Sequence, residues 1–404
     1  MLQIKIPVQQ VQFGMYVAQL DRPWVETPFM FQGFLVREQS EIDLLRAHCS
    51  FVVIDCEKGI SPGRGVAAGL PADIPPAPLP RASVHYESSV AVEEEMDVAR
   101  EVRTAIAERV VELMSDLRAG RTPDLAGIGQ TVSRMEASIL RNPDAFMLLR
   151  QLRRKDSYSY DHCIDCSALA VTFGRQLGLP HSQLHDLAMG ALLFDIGKSR
   201  IPEYLLIKNG ALSANETKLV RLHVEFSLDI LDKDGSMSPR VRGMVASHHE
   251  RFDGSGYPRG LKGGEIPLLG RIAAIIDFYD AVTSERPFAA AMSPHSAIKY
   301  LYTFRNTHYQ DELIEQFIQT IGAYPVGTLV ELANGEVAVV IGQNQVRRLL
   351  PKVVVVLDAD KQPVTEARTL DLMALANEPS DAALTIARSL EPGSYGVDPG
   401  DFYL

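Results

Sequence analysis

The chain is short of cysteine, of basic charge and of long apolar runs, and each shortage removes a class of protein. Its 404 residues hold 4 cysteines. Two of them, Cys163 and Cys166, form a C-x-x-C, but no second pair stands at zinc-ribbon spacing and no thioredoxin-like context surrounds the first. They are expected to be a buried pair of helix thiols. Lysine and arginine number 40 against 51 acidic residues, a net charge of -11. That excludes a nucleic-acid polymer as the main partner, because binding along a phosphate backbone needs a basic excess. A small anion in a local basic pocket stays open. No apolar run approaches the roughly 20 residues of a spanning helix, so no membrane partner is expected. The start, MLQIKIPVQQ, lacks the basic-then-apolar pattern of an export signal, which predicts a cytoplasmic location.

What is present is ordinary globular material, 46% hydrophobic and 23% charged, in a length that suits two or three domains. Residues 1–60 carry two strand-like patches, VQQVQFGMYVAQL around Gly14 and FVVIDC after the helical stretch EIDLLRAH, and read as a small α+β module. Residues 61–89 open with SPGRGVAAGLPADIPPAPLPRAS, too poor in large apolar groups to form a core, and read as a linker. From Val90 the pattern turns helical. Val98, Val102, Ile106, Val110, Leu113, Met114 and Leu117 recur at three- and four-residue steps until Gly120, giving a helical connector over 90–149. Helical periodicity then continues to about residue 321. Beyond Tyr324-Pro325 the Asn334-Gly335 turn between apolar runs and the stretch PKVVVVLDAD predict a β appendage and tail over 322–404.

Candidate chemistry concentrates in the helical part, where 8 of the 10 histidines lie between residues 162 and 308. His162 sits on a helix, and Asp195 ends the apolar run AMGALLFDIGK. His223 follows the capping box Ser213-x-x-Glu216. His248 and His249 precede the glycine-rich ERFDGSGYPRGLKGG. Asp277 lies in RIAAIIDFYDAV, apolar on all sides except at Asp277 and Asp280, where an unpaired carboxylate would cost several kcal/mol. Singly, each has an ordinary explanation: a core histidine at 162, a solvated face at 223, a helix cap at 277. The ordered set H, D-x-G-K, H, HH, D on helices suits Fe, Mn or Zn, and histidines around a carboxylate suit a two-metal site. His185-Asp186, although a literal His-Asp pair, opens the helix that delivers Asp195 and is read as no ligand. His181, His295 and His308 read as surface or loop residues.

HHERFDGSGYP (248–258), followed by IAAIIDFYDAVTSERPF, resembles the HD-GYP family of bacterial phosphodiesterases, a branch of the HD superfamily that cleaves cyclic di-GMP. The likeness spans about 150–321, and the N-terminal module resembles the uncharacterised domain often found ahead of it. The resemblance implies a mainly α fold: an HD-type helical bundle with a small N-terminal α+β module and a small C-terminal β appendage. It implies two divalent transition metals, usually iron or manganese, bridged by Asp195. His162 and Asp277 would serve the first; His223, His248 and His249 would serve the second. Lys198 and Arg286 would hold phosphate oxygens, while Tyr257 and its glycines would shape the pocket floor. The implied reaction is hydrolysis of cyclic di-GMP to linear pGpG, GMP or both. Diguanylate cyclase-type signalling proteins are implied partners, and a homodimer is compatible with the family.

The sequence departs from the family pattern at three places. Phe194 stands where a metal-ligating histidine belongs, leaving the first metal His162, Asp195 and Asp277. Tyr158 stands where some members carry a glutamate for a third metal, so at most two are expected. Phe288 and Ala289 replace the usual tyrosine and arginine after Arg-Pro. Two main readings remain: an active phosphodiesterase, or a catalytically silent receptor for the dinucleotide or a partner protein. A third is another HD-type nucleotide hydrolase.

Overall fold

The computed structural model describes residues 3–22, 39–56, 82–151, 158–284, 291–344, 349–375 and 384–399, with scattered positions between 24 and 37 and between 59 and 79. At the N-terminus, short apolar strands form an antiparallel sheet: β1 (Gln3–Pro7), β2 (Tyr16–Leu20), β3 (Phe34–Leu35) and β4 (Phe51–Asp55), in the order β1-β4-β2-β3. Helix α1 (Gln39–His48) contributes Ile42 and Leu45 to one apolar cluster with Val17, Val52 and Ile54. Its Glu41 faces the rest of the molecule. The buried carboxylate accepts from Arg305 at 2.6 Å and from the Tyr302 hydroxyl at 3.0 Å.

The described part of the linker does not hang free. Ser83 and Val84 donate backbone N–H to Gly178 O at 3.0 and 3.2 Å, and the Tyr86 hydroxyl donates to Leu179 O at 2.8 Å. Arg271 donates to Ala77 O at 3.1 Å. A segment unable to build its own core therefore satisfies its backbone against the helices.

The helical unit begins with α2 (Val92–Arg118), α3 (Leu125–Arg141) and α4 (Pro143–Gln151). Three glutamates in the first turn of α2 suit its macrodipole. Val102, Ile106, Val110 and Leu113 are buried on its inner stripe, whereas Val98, counted on that stripe from the sequence, is 41% exposed. The bundle continues through α5 (Tyr158–Gln176), α6 (His181–Leu193), α7 (Glu203–Leu206), α8 (Ala214–Arg221), α9 (His223–Asp234), α10 (Pro239–Val245), α11 (Leu268–Thr283), α12 (Pro294–Thr303) and α13 (Asp311–Ile321). One apolar core runs from Ala99 to Ile321, so α2 to α4 pack into the same core as the helices that follow. His295, expected at the surface or in a loop, is buried on α12. Its Nδ1 donates to Ala323 O at 2.6 Å and its ring stacks on Tyr324 at 4.6 Å. A histidine with one ring nitrogen satisfied and an aromatic neighbour is readily buried as the neutral form. His181 is exposed and His308 half-buried.

The C-terminal sheet is antiparallel, in the order β8-β7-β6-β5-β9. It comprises β5 (Leu329–Leu332), β6 (Val337–Gly342), β7 (Lys352–Leu357), β8 (Pro363–Asp371) and β9 (Ile386–Leu390), with the single turn α14 (Leu372–Leu375) before β9. Glu391 ties it to the bundle by accepting from Ser293 N at 3.0 Å and Ser296 Oγ at 2.9 Å, at the N-terminus of α12. Among the described residues, no helix is long and apolar enough to cross a membrane. The architecture is mainly helical, with small sheets at both ends.

Candidate metal centre

Five elements bring the donor atoms together. His162 projects from α5, and Asp195 follows the end of α6. His223 opens α9, His248 and His249 follow α10, and Asp277 comes from α11. The capping box at Ser213 is present, but the helix it starts ends at Arg221. The chain turns at Leu222 and restarts at His223, which is buried and not on a solvated face. The residues Ile196–Arg200 after Asp195 form a short 3-10 helix against α9. Gly197 makes this approach possible, since a Cβ there would collide with the carbonyl oxygen of His223 and stand 2.5 Å from Ser227 N. Ser227 seals the contact: its Oγ accepts from Gly197 N and donates to Phe194 O, both at 2.8 Å.

The donors fall into three groups: His162 with Cys166 and Asp280, and two that share Asp195. In one, Asp195 stands with His223, His248 and His249; in the other, with His162 and Asp277. Within each group the ligand atoms lie within 4.8 Å of one another. His223 Nε2 is 3.3 Å from Asp195 Oδ1, 3.4 Å from His248 Nε2 and 3.1 Å from His249 Nε2. His162 Nε2 is 3.3 Å from Asp277 Oδ1 and 3.8 Å from Asp195 Oδ2. Lys198 Nζ donates to Asp195 Oδ2.

Protonation states favour a cation here. His223 and His248 donate Nδ1–H to the carbonyls of Val220 and Val245 at 2.7 and 2.8 Å. Each Nε2 is therefore left as a lone pair aimed at the other. Burial pushes the His248 pKa down to about 4 against the attraction of Asp195. Burial, with His248 and His223 beside it, holds His249 well below its usual value. Burial would raise Asp195, but Lys198, His223 and His248 keep it below the ordinary carboxylate range. Its Oδ1 is buried and accepts no hydrogen bond among the described residues. Neutral imidazoles converging on an orphaned carboxylate oxygen fit a divalent transition metal.

His162 is different. Burial opposes its charge, yet Cys166, Asp277 and Asp280 hold its pKa well above the imidazole value. Its Nδ1 donates to Asp280 Oδ2 at 2.7 Å, and Asp280 Oδ1 accepts from Arg150 Nε at 2.9 Å. Sequence reasoning missed this carboxylate–guanidinium pair behind the candidate ligand. Asp280 had a signal, as the second acid in an apolar helix; Arg150, from α4, had none. Cys163 and Cys166 are buried thiols that form no disulfide, both pushed up to about 12 by burial.

Phe194 is fully buried and stacks on His248, with centroids 4.7 Å apart and planes 14° apart; its ring lies 6.1 Å from that of His162. It presents an apolar wall to both histidines. Tyr257 stacks on His249 at 4.6 Å and receives Arg221 on its ring at 4.4 Å. Gly256 lets its loop fold back on Glu250, whose carbonyl carbon a Cβ would meet at 2.5 Å. The buried Glu250 carboxylate accepts from Arg259 N and Leu261 N at 2.8 and 3.1 Å. Arg286, Phe288 and Ala289 lie outside the described residues, as does the side chain of Tyr158. His185 and Asp186 point elsewhere: His185 lies 3.5 Å from Glu136, and Asp186 accepts from Ser238 Oγ at 2.6 Å and from Arg240.

A helical bundle that gathers histidines and aspartates from separate helices around one shared aspartate defines a protein of the HD class. An HD domain model matches residues 134–313, and a domain of unknown function, DUF3391, matches residues 3–128. A cyclic di-GMP phosphodiesterase of Pseudomonas aeruginosa is 34% identical over 374 residues, covering 91% of this chain and 88% of that protein. A cyclic di-GMP phosphodiesterase response regulator of Xanthomonas campestris is 33% identical over 173 residues, 43% of this chain and 46% of that protein. Among solved structures, an HD-GYP-type protein from Bdellovibrio bacteriovorus aligns with TM-score 0.48 and 13% identity, over 78% of this chain and 98% of that one. The chain belongs to the HD-GYP family, with the DUF3391 domain at its N-terminus.

Proposed function

We propose that this chain is a cytoplasmic cyclic di-GMP phosphodiesterase that opens the cyclic dinucleotide to linear pGpG and cleaves it further to GMP. The observation that carries the reading is Asp195, shared by two groups of nitrogen and oxygen donors with Lys198 on its second oxygen. His162, Asp195 and Asp277 would hold one divalent cation, and Asp195, His223, His248 and His249 the other, with iron or manganese suited to the mixed donors. When bound, such ions supply Lewis acidity and lower the pKa of a coordinated water. The chain's own part is placement and charge. Lys198 and Arg286 neutralise phosphate oxygens as negative charge builds on phosphorus. Asp280 and Arg150 fix the tautomer and orientation of His162. Tyr257 holds the ring of His249 in place. The same reading divides the chain at about residues 60, 90, 150 and 321.

Phe194 favours a second reading, a receptor that binds the dinucleotide without cutting it, because a phenyl ring supplies no ligand. One experiment separates the two: turnover of cyclic di-GMP by the purified protein, loaded anaerobically with Mn, Fe(II), Co or Ni, with metal counted in the same sample. Hydrolysis with any of them is expected. Binding without hydrolysis across all four would establish the receptor, and Phe194→His would then be the variant to test for a gain of turnover.

A further inference from the structure

We propose that Arg221 is a substrate-binding residue of this site, taking the phosphodiester of the cyclic dinucleotide that is not being cut. The proposal rests on the phosphodiesterase reading for its ligand. It starts from a layered stack: His249 against Tyr257, and Tyr257 against the Arg221 guanidinium. The guanidinium carbon lies 4.4 Å from the ring centroid, and the planar fork of arginine carries several N–H donors. Those donors are uncommitted. Arg221 is exposed at the end of α8, and among the described residues no carboxylate pairs with it.

Two other cations near the centre are engaged among the described residues, and Arg286 lies outside them. Lys198 donates to Asp195. Arg251 donates to Glu250 O at 3.2 Å and lies over Tyr309 at 5.4 Å. Arg221 is thus an exposed cation against Tyr257, the ring that stacks on His249, and stands two residues from the candidate ligand His223. A cyclic dinucleotide carries two phosphodiester charges. On the phosphodiesterase reading the donor cluster, Lys198 and Arg286 answer one; the other needs a further cation, and a planar fork of N–H groups matches two phosphate oxygens. A corollary follows for Tyr257. With His249 stacked on its ring and Arg221 against it, Tyr257 acts as a positioning residue.

The test compares wild type, Arg221→Ala and Arg221→Lys, all metal-loaded and with metal counted, on cyclic di-GMP and on bis(4-nitrophenyl) phosphate, which offers only one phosphodiester. For Arg221→Ala, KM for cyclic di-GMP should rise at least tenfold. The loss in kcat/KM on the dinucleotide should exceed that on the small diester at least fivefold, with metal content kept. Arg221→Lys should recover part of the loss, and the salt dependence of KM should flatten in Arg221→Ala. Equal losses on both substrates, a fall in metal content, or no change would each overturn the proposal. If wild type binds cyclic di-GMP without cutting it, the phosphodiesterase reading fails, and the same variants compared by calorimetric Kd still decide for or against Arg221. If wild type neither binds nor cuts it, both fall.

Discussion

Behind His162 stands a carboxylate that the metal-binding pattern does not include. Asp280 is fully buried between His162 and Arg150. Asp280→Asn keeps the shape but leaves Arg150 without its counter-charge, a loss of about 3 kcal/mol for a broken buried pair. It also weakens the orientation of a candidate ligand, an effect worth roughly 10–100-fold in metal affinity. Denaturant unfolding and metal titration of the variant should register both. The six ligand candidates were legible in the sequence because imidazoles and carboxylates, which suit transition metals, stand at the motif's spacing. Arg150 was invisible, since its partner lies 130 residues further on and nothing in PDAFMLLRQ marks a buried arginine. His295 misled because its partners are a backbone carbonyl and a ring that only the fold supplies. Burial lowers its pKa from 6.5 to about 4. The unfolded chain therefore takes up the proton first as pH falls. The stability His295 contributes is complete above about pH 6.5 and drains away toward pH 4. The thermal midpoint of wild type should fall more steeply between pH 7 and 5 than that of His295→Gln.

Between elements, the decisive contact is the short helix after Asp195 lying on α9. Gly197→Ala would force the two apart, and overpacking of this kind costs about 1–3 kcal/mol. Because Asp195 and His223 ride on the separated pieces, loss of metal should accompany the lower melting temperature; a variant with normal metal content would show that the close approach is unnecessary. Amphipathic helices were readable where the stripe was long, as in α2. The break at Leu222 was not, because VRLHVEFSL continues a helical pattern in which nothing forbids an unbroken helix. Strand β8 also escaped notice: PVTEARTLD is largely exposed, so it lacks the alternation that betrays a half-buried strand.

At the scale of the molecule, α12 and the turn after it meet both ends of the chain. Glu41 of the N-terminal module is bound by Tyr302 and Arg305, and Glu391 near the C-terminus by Ser293 and Ser296. Glu41→Ala leaves Arg305 with Asp311, 3.3 Å away, as its acidic partner. The expected cost is about 1–3 kcal/mol, together with faster proteolysis within 1–60 while the bundle stays resistant. Equal protection in mutant and wild type would show that the module is held by other contacts.

The Glu41–Arg305 pair also has a consequence in time. During synthesis the N-terminal sheet and α1 leave the ribosome first, while Arg305 follows 264 residues later. At roughly 5–20 residues per second, the module waits about 13–50 s for its dock. A carboxylate on the waiting face keeps that surface hydrated and unattractive to other nascent chains, and it becomes an anchor only when the arginine arrives.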